Sequence, residues 1–108
     1  MALPLYYQQV YEIVRQIPTG HVTTYGAIAD YLALGSARMV GFALRKSLEL
    51  APDIPAHRVV NRKGELSGRH YFSPVGAMEA LLRSENIPVE NHCIQKFNNF
   101  FLHPESFC

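Results

Sequence analysis

Apolar residues recur at the three- to four-residue spacing of an α-helix in four stretches of this chain. The first stretch predicts an amphipathic helix over residues 4–16, because Pro4 suits a first helical turn and Pro18 lies just beyond the end. The last predicts a helix that is capped at Ser73-Pro74 and ends before Pro88. The apolar positions of these two helices are Tyr6, Val10, Ile13, Val14 and Ile17, then Val75, Met78, Leu81 and Leu82.

Two shorter periodic stretches lie between them. Thr23 or Thr24 can cap a second helix that ends near Leu34-Gly35, and Ser36 can cap a third. Two short helices around a turn that contains glycine are typical of a helix-turn-helix. The third helix carries Arg38, Phe42 and Arg45 away from its apolar face, and a basic face of this kind suits a nucleic-acid groove. The apolar positions are Tyr25, Ile28, Ala29 and Leu32, then Ala37, Val40, Gly41, Leu44 and Leu48.

A short β-hairpin is predicted after a loop at residues 48–53. The strand covers residues 58–61, Gly64 provides the turn, and the chain returns through Leu66-Ser67. Residues 89–108 are aromatic-rich and irregular, and we expect them to wrap around the body of the protein. The predicted fold class is mostly α, a single winged-helix-like domain over residues 1–108 with a helix-turn-helix and a short β-hairpin.

Size and charge narrow the class of protein. A chain of 108 residues with 48% hydrophobic content is typical of one small globular domain. The net charge is only +1, but residues 38–69 hold seven bases and three acids, a net charge of +4, whereas the remainder carries −3. The positive half therefore surrounds the central segment, as in proteins that bind nucleic acid. A mixed solvent-facing surface is the alternative origin of this polarity.

The sequence contains no membrane or disulfide signal. Its longest apolar runs are too short to span a bilayer, and its N-terminus lacks the charged start and apolar core of a secretory signal. Two cysteines, Cys93 and Cys108, make no disulfide framework. We therefore expect a cytoplasmic protein with free thiols. We also expect a monomer, since no heptad pattern suggests self-association.

Metal and nucleotide cofactors are not expected. The five histidines show no His-x-x-x-His spacing, and neither a Gly-x-Gly-x-x-Gly motif nor a phosphate-binding loop is present. The segment Ile54–Asn61 offers one acid/base group, His57, beside Arg58. Cys93 could pair with His57 or His92 as a nucleophile, but a lone cysteine in an apolar setting is more often a packed side chain.

Three motifs resemble the C-terminal domain of the O6-alkylguanine-DNA alkyltransferases. They are Val22–Ala29, Ala37–Gly41 and Ile54–Asn61, and the resemblance extends from Tyr7 to Glu85. In that family the third motif reads Pro-Cys-His-Arg-Val, and its cysteine takes the alkyl group from the base. Here Ala56 occupies the cysteine position. The chain therefore resembles the alkyltransferase-like proteins, which bind O6-alkylguanine in DNA but do not repair it.

The resemblance implies a set of DNA-binding residues. The recognition helix, with Ala37 and Gly41, would lie in the minor groove, where insertion and kinking are common. Tyr25 would rotate a phosphate and swing the damaged nucleotide out of the stack, and Arg38 would fill the space left behind. Unstacking a base costs a few kcal/mol, less for a damaged base that pairs poorly, so flipping itself favours lesions. Phe42 departs from the family, which commonly has a small residue there.

The resemblance also implies a lesion pocket and a partner class. The pocket residues would be Ala56, Pro55, His57, Arg69 and Val59, with the Arg69 guanidinium over the flipped purine. His57 and Glu85 match the pair that draws a proton from the cysteine in the repair enzymes. With Ala56 no catalytic residue remains, because a methyl group is no nucleophile. Double-stranded DNA with O6-alkylguanine and nucleotide excision repair proteins are the implied partners, with the protein nucleoid-associated when bound.

Two other functions remain open from the residues alone. A plain winged-helix regulator would read a defined duplex sequence through the same helix, without a lesion and without a role for Tyr25. A residual thiol alkyltransferase would use Cys93 or Cys108 in place of the missing cysteine. Ala56 argues against this second alternative, because the usual acceptor position carries no sulfur.

Overall fold

Four α-helices and four two-residue strands form the structure, a computed structural model that describes residues 3–108. In that range no helix is both long and apolar enough to cross a lipid bilayer. The helices are α1 (Leu5–Arg15), α2 (Tyr25–Tyr31), α3 (Ala37–Leu50) and α4 (Ala77–Ser84), and the strands are β1 (Thr23–Thr24), β2 (Val59–Val60), β3 (Val89–Glu90) and β4 (Cys93–Ile94).

The first three helices share one hydrophobic core. α3 packs against both α1 and α2, and the predicted apolar faces of all three helices contribute to this core. The buried Tyr11 hydroxyl donates a hydrogen bond to the Ala43 carbonyl at 2.7 Å, which fixes α1 on α3. α3 extends to Leu50, three residues into the loop predicted at residues 48–53. The buried members of this core include Val10, Ile13, Val14, Ile17, Ile28, Ala29, Val40, Ala43, Leu44, Ile54, Ala56 and Val59.

The α2–turn–α3 unit forms as predicted, but its turn differs in detail. The Thr24 side chain caps α2 by accepting a hydrogen bond from the Ala27 amide at 3.0 Å. Ala33, with φ of 56°, takes the left-handed position, and the Ala33 and Leu34 amides bond back to α2 in a Schellman motif. Gly35 is thus not the residue that ends α2. Ser36 occupies the N-cap position of α3 without a side-chain capping bond.

The predicted location of the hairpin is wrong. β2 pairs in parallel with β1, with Thr23 opposite Val59. Gly64 does form the expected turn at φ of 80°, but the chain beyond it bonds to a distant segment, through the Leu66 amide and the His92 carbonyl at 2.8 Å. The hairpin is instead β3–β4, within the region predicted to be irregular.

α4 begins later than Ser73-Pro74 predicted. Gly76 occupies its N-cap position with φ of 84°, so the helical pattern does not reach back to Val75, whose side chain is fully exposed. The inner face of α4 covers a second core, which also receives β3 and β4. Its buried members are Val22, Val60, Leu66, Met78, Leu82, Ile87, Val89 and Ile94.

The C-terminal segment wraps around the body, as expected. Phe101 forms a parallel bridge with Val22, and the Leu102 amide donates to the Val22 carbonyl at 2.8 Å. Further on, His103 lies 3.2 Å from the Asp30 carboxylate of α2. Residues 100–108 are therefore tied to the helix-turn-helix, beside β1.

Candidate nucleic-acid interface

A groove of about 370 Å³, which we call the Tyr25 groove, lies along the exposed side of α3. Its walls are the first turn of α2, the outward face of α3 and the loop at residues 67–72, and Ala56 also lines it. The lining residues are Tyr25, Ala37, Arg38, Gly41, Phe42, Leu44, Arg45, Leu48, Ala56, Ser67, Gly68, Tyr71 and Phe72. Five residues that the resemblance singled out, Tyr25, Ala37, Arg38, Gly41 and Ala56, are thus brought together around one cavity.

Tyr25 is held at the start of α2 with its hydroxyl against the opposite loop. A methyl group on Gly68 would lie only 2.8 Å from that oxygen, so the close approach requires glycine at this position. Burial raises the pKa of Tyr25 above its ordinary value of 10, more than the hydrogen bond with Ser67 lowers it. The phenol is therefore neutral near pH 7 and can donate a hydrogen bond to an anion.

The outward face of α3 is basic and partly aromatic. Ala37 and Arg38 are exposed at the start of the helix, followed one turn later by Gly41 and Phe42. The Arg45 guanidinium lies 4.4 Å from the ring centroid of Tyr71 and 5.8 Å from that of Phe42. These cation–π contacts hold Arg45 at the edge of the groove.

Ala56 supplies a methyl group where the alkyltransferase motif has its cysteine. It begins a short 3₁₀ turn, Ala56–Arg58, and is 7% exposed in the groove lining. Neither Cys93 nor Cys108 lines the groove. The Cys93 thiol lies 3.5 Å from the Lys63 carbonyl, at the β3–β4 hairpin. Across residues 3–108, no three metal-ligating side chains come together.

His57 and Arg58 turn away from the groove to the Glu85 carboxylate. The His57 Nε2 lies 2.6 Å from Glu85 Oε2, and the Arg58 Nε lies 3.0 Å from Oε1. The Gly20 amide donates to the same carboxylate at 2.8 Å, while Arg58 also donates to the Ile17 carbonyl. The cluster therefore joins the loop before β1, the central segment and the end of α4.

The pKa of Glu85 is lowered by these partners. Burial alone would raise it, but hydrogen bonds from Arg58, Gly20 and His57, together with the charge of Arg58, bring the pKa from 4.5 to about 2. The carboxylate is therefore ionised at any physiological pH. It serves as a fixed negative charge that holds three segments together.

The other predicted pocket residues do not line the groove. Val59 is fully buried in the first core and paired with Thr23, Pro55 is half-buried, and His57 is bonded to Glu85. Arg69 is half-buried, and its guanidinium donates to the Leu66 carbonyl at 3.2 Å. Three of these residues lie within three positions of Ala56 in the sequence, and Arg69 lies in the next loop. Their contact with a lesion stays a prediction.

Four lining residues from the loop after Leu66 were not predicted from the sequence. Ser67, Gly68, Tyr71 and Phe72 form the wall opposite α3. The sequence carried one signal, since Tyr71-Phe72 is an aromatic pair between the polar His70 and Ser73. What it lacked was the position of this loop, which depends on contacts between distant segments.

A helix-turn-helix whose outward, basic helix face borders an open groove is the arrangement of a DNA-binding domain. Residues 5–87 match the family described as the DNA-binding domain of 6-O-methylguanine DNA methyltransferase. The chain belongs to this family, and the predicted family and fold class are confirmed.

Individual relatives are similar over most of this chain. An alkyltransferase-like protein of Schizosaccharomyces pombe is 37% identical over 90 residues, 82% of each chain. The crystal structure of the S. pombe protein in complex with damaged DNA containing O6-carboxymethylguanine has a TM-score of 0.80, with 30% identity over 94% of this chain and 98% of that one. A DNA base-flipping protein of Escherichia coli is 46% identical over 61 residues, 56% of this chain and 46% of its own.

Proposed function

We propose that this protein binds O6-alkylguanine in double-stranded DNA, flips the damaged nucleotide into the Tyr25 groove and leaves the alkyl group in place. The observation that carries the proposal is Ala56 in the groove lining. Tyr25, Arg38 and α3 surround this cavity, and none of the described residues that line it carries a thiol. Such a site can hold a lesion but offers no sulfur to accept an alkyl group.

The helix supports a minor-groove mode of binding. The exposed Arg38 stands at the first turn of α3, at the mouth of the groove, where its side chain can enter the base stack. The neutral Tyr25 hydroxyl can donate to the phosphate of the flipped nucleotide. A structure of the S. pombe relative with lesion-containing DNA supports this reading, as does the base-flipping protein of E. coli.

A lesion that keeps its alkyl group must be removed by other proteins. Our proposal therefore includes a handover to nucleotide excision repair, whose proteins would recognise the bound and distorted DNA. Flipping and kinking change the shape of the duplex well beyond one base. A monomer on the lesion is sufficient for such a signal.

The test compares two matched duplexes, one with O6-methylguanine and one with guanine, at one stated salt concentration. Fixing the salt is necessary because phosphate contacts make both affinities salt-dependent. We expect tighter binding to the lesion duplex, with the mass of the protein unchanged after incubation. Equal affinities would contradict lesion recognition, and an increase in protein mass would show transfer to Cys93 or Cys108.

A matched pair of tyrosine variants tests the flipping step. Tyr25→Phe removes one hydroxyl at the groove, whereas Tyr31→Phe removes one from the exposed far end of the same helix, outside the groove lining. We expect Tyr25→Phe to lower lesion affinity at least about tenfold, since a hydrogen bond to a charged group is lost. Tyr31→Phe should bind like the parent protein.

A further inference from the structure

A second groove of about 380 Å³ adjoins the first, and we call it the Tyr7 groove. Phe42, Arg45, Leu48 and Tyr71 line both cavities, so these residues form the wall between them. The Tyr7 groove is completed by residues of α1 and of the second half of α3. Its lining is Tyr7, Phe42, Arg45, Lys46, Leu48, Glu49 and Tyr71.

Three aromatic side chains line the Tyr7 groove. Tyr7 is oriented by its neighbours, with ring centroids 5.0 Å from Tyr6 in an edge-on contact and 6.3 Å from Tyr11. Phe42 and Tyr71 are both exposed, and Arg45 lies against both rings. Exposed aromatic faces that other side chains hold in place are the usual platforms for unpaired nucleobases.

The charges of the groove are mostly positive. Arg45 and Lys46 contribute two cations and Glu49 one anion, which lies 3.7 Å from the Lys46 amine. Both members of this pair are exposed, so their mutual attraction is weak and Lys46 remains available to another anion. Aromatic faces together with cations suit a ligand that carries both an aromatic ring and a phosphate.

We propose that the Tyr7 groove binds a second nucleotide of the same DNA, next to the flipped one. Its base would stack on the aromatic wall and its phosphate would meet Arg45 and Lys46. This inference rests on the proposed function, because only bound and distorted DNA brings an unstacked neighbour to this position. It also gives Phe42, the departure from the family pattern, a role as part of the stacking surface between the two grooves.

The experiment combines base removal in the DNA with substitutions in the groove. The O6-methylguanine duplex is prepared with each nucleotide near the lesion, on either strand, replaced in turn by an abasic residue. At one position the missing base should weaken binding by the parent protein about tenfold, the loss typical of one stacked base. With Tyr7→Leu, which keeps an apolar side chain on α1, that position should become indistinguishable from its neighbours.

Two charge variants provide an independent measurement that leaves the core untouched. Lys46→Gln should weaken binding to the lesion duplex several-fold, and Glu49→Gln should strengthen it, because each changes one exposed charge of the groove. Lys63→Gln is the matched control, an exposed lysine of the basic half that lines neither groove. Its effect should be smaller than that of Lys46→Gln. Thermal unfolding of each variant verifies that the fold is intact.

The outcomes separate this inference from the proposed function. Equal binding of lesion and undamaged duplexes by the parent protein would overturn the proposed function. Preserved lesion preference with no effect of Tyr7→Leu or of the charge variants would overturn the second site alone. Charge effects without any abasic position that weakens binding would mean that the groove contacts phosphates only, which also overturns nucleotide binding.

Discussion

The Glu85 carboxylate at the end of α4 accepts hydrogen bonds from two other parts of the chain. His57 and Arg58 come from the central segment, and the Gly20 amide comes from the loop before β1. These bonds join the end of α4 to the central segment and to the loop before β1, so the three segments are held together at one carboxylate. The ion pair between Arg58 and Glu85 stabilises the segments that lie behind Ala56, on the side away from the groove.

At this scale Glu85→Gln should destabilise the protein by about 2 to 3 kcal/mol near pH 7, because Arg58 would lose its buried ionic partner. The folded pKa of about 2 lies below the ordinary value of 4.5. Folding therefore favours the ionised form of Glu85. Its contribution to the free energy of unfolding is fully present above pH 4.5 and is lost as the pH falls through about 2.

Urea unfolding of both proteins across this pH range measures the difference. The gap between parent and Glu85→Gln should shrink steadily as the pH falls below 4.5. Glu79→Gln is the control, because Glu79 forms a more exposed pair with Arg83 at 3.3 Å, worth less than about 1 kcal/mol. A gap that does not change with pH would mean that the lost pairing is not ionic.

Gly68 allows the Tyr25 hydroxyl to lie against the loop at residues 67–72. Gly68→Ala would place a methyl group 2.8 Å from that oxygen, so the tyrosine side chain must move. Because the backbone of Gly68 has φ of −92°, alanine itself fits, and we expect the unfolding free energy to change by less than about 1 kcal/mol. Lesion affinity should fall about tenfold through the displaced hydroxyl. Normal affinity would show that the position of Tyr25 in the free protein has no bearing on DNA binding.

At the scale of elements, the turn between α2 and α3 sets the angle of the recognition helix. A Schellman motif closes α2, with the Leu34 amide bonded to the Ala29 carbonyl at 2.9 Å. Its left-handed position belongs to Ala33 rather than to a glycine. An alanine in this conformation is strained by about 1 kcal/mol. The helix-turn-helix therefore retains local strain beside the candidate interface.

Ala33→Gly should relieve this strain and raise the unfolding free energy by about 0.5 to 1 kcal/mol. Gly35→Ala is the matched substitution two residues later, where the nearest atom to an added methyl group is the Met39 sulfur at 4.0 Å. That change should be tolerated. Chemical denaturation of the two variants measures which residue holds the strained left-handed position. If only Gly35→Ala lowered the unfolding free energy, α2 would end at Gly35 instead.

Across the whole molecule, positive charge is concentrated in residues 38–69, which carry +4 against −3 elsewhere. These residues include α3, the central segment and the start of the loop that faces α3. The polarity therefore coincides with the two grooves. A field of this kind attracts a phosphate backbone at long range.

The salt dependence of binding measures this contribution. Arg45→Gln should reduce the slope of log affinity against log salt by about 0.9, the value for one lost phosphate contact. Arg15→Gln removes an exposed charge from α1, in the acidic part of the chain, and should leave the slope unchanged. Equal slopes for the parent and Arg45→Gln would place Arg45 away from the phosphates.

The sequence by itself determined the elements that depend on neighbouring residues. Helices α1, α2 and α3 follow from apolar periodicity, because these interactions span only a few residues. The sequence restricted the cap of α2 to Thr23 or Thr24, and the structure shows that it is Thr24. The motif spacing identified the family, and with it the significance of Ala56. Local preference failed at the start of α4. Gly76 takes a left-handed conformation, so the helix begins only at Ala77 and does not include Val75.

Only the tertiary structure decided which distant segments meet. The parallel pairing of Thr23 with Val59, the bridge from Val22 to Phe101 and the bonds to Glu85 each join residues far apart in the chain. The partner of a strand or of a charged residue leaves no periodic pattern in a sequence. Many other segments would have the same local preference for that pairing. The loop at residues 67–72 was placed opposite α3 by such contacts, and so were the two grooves. One side of the candidate interface could be read from the chain, with Tyr25, Arg38 and Ala56, but the opposite wall and the shape of the groove required the fold.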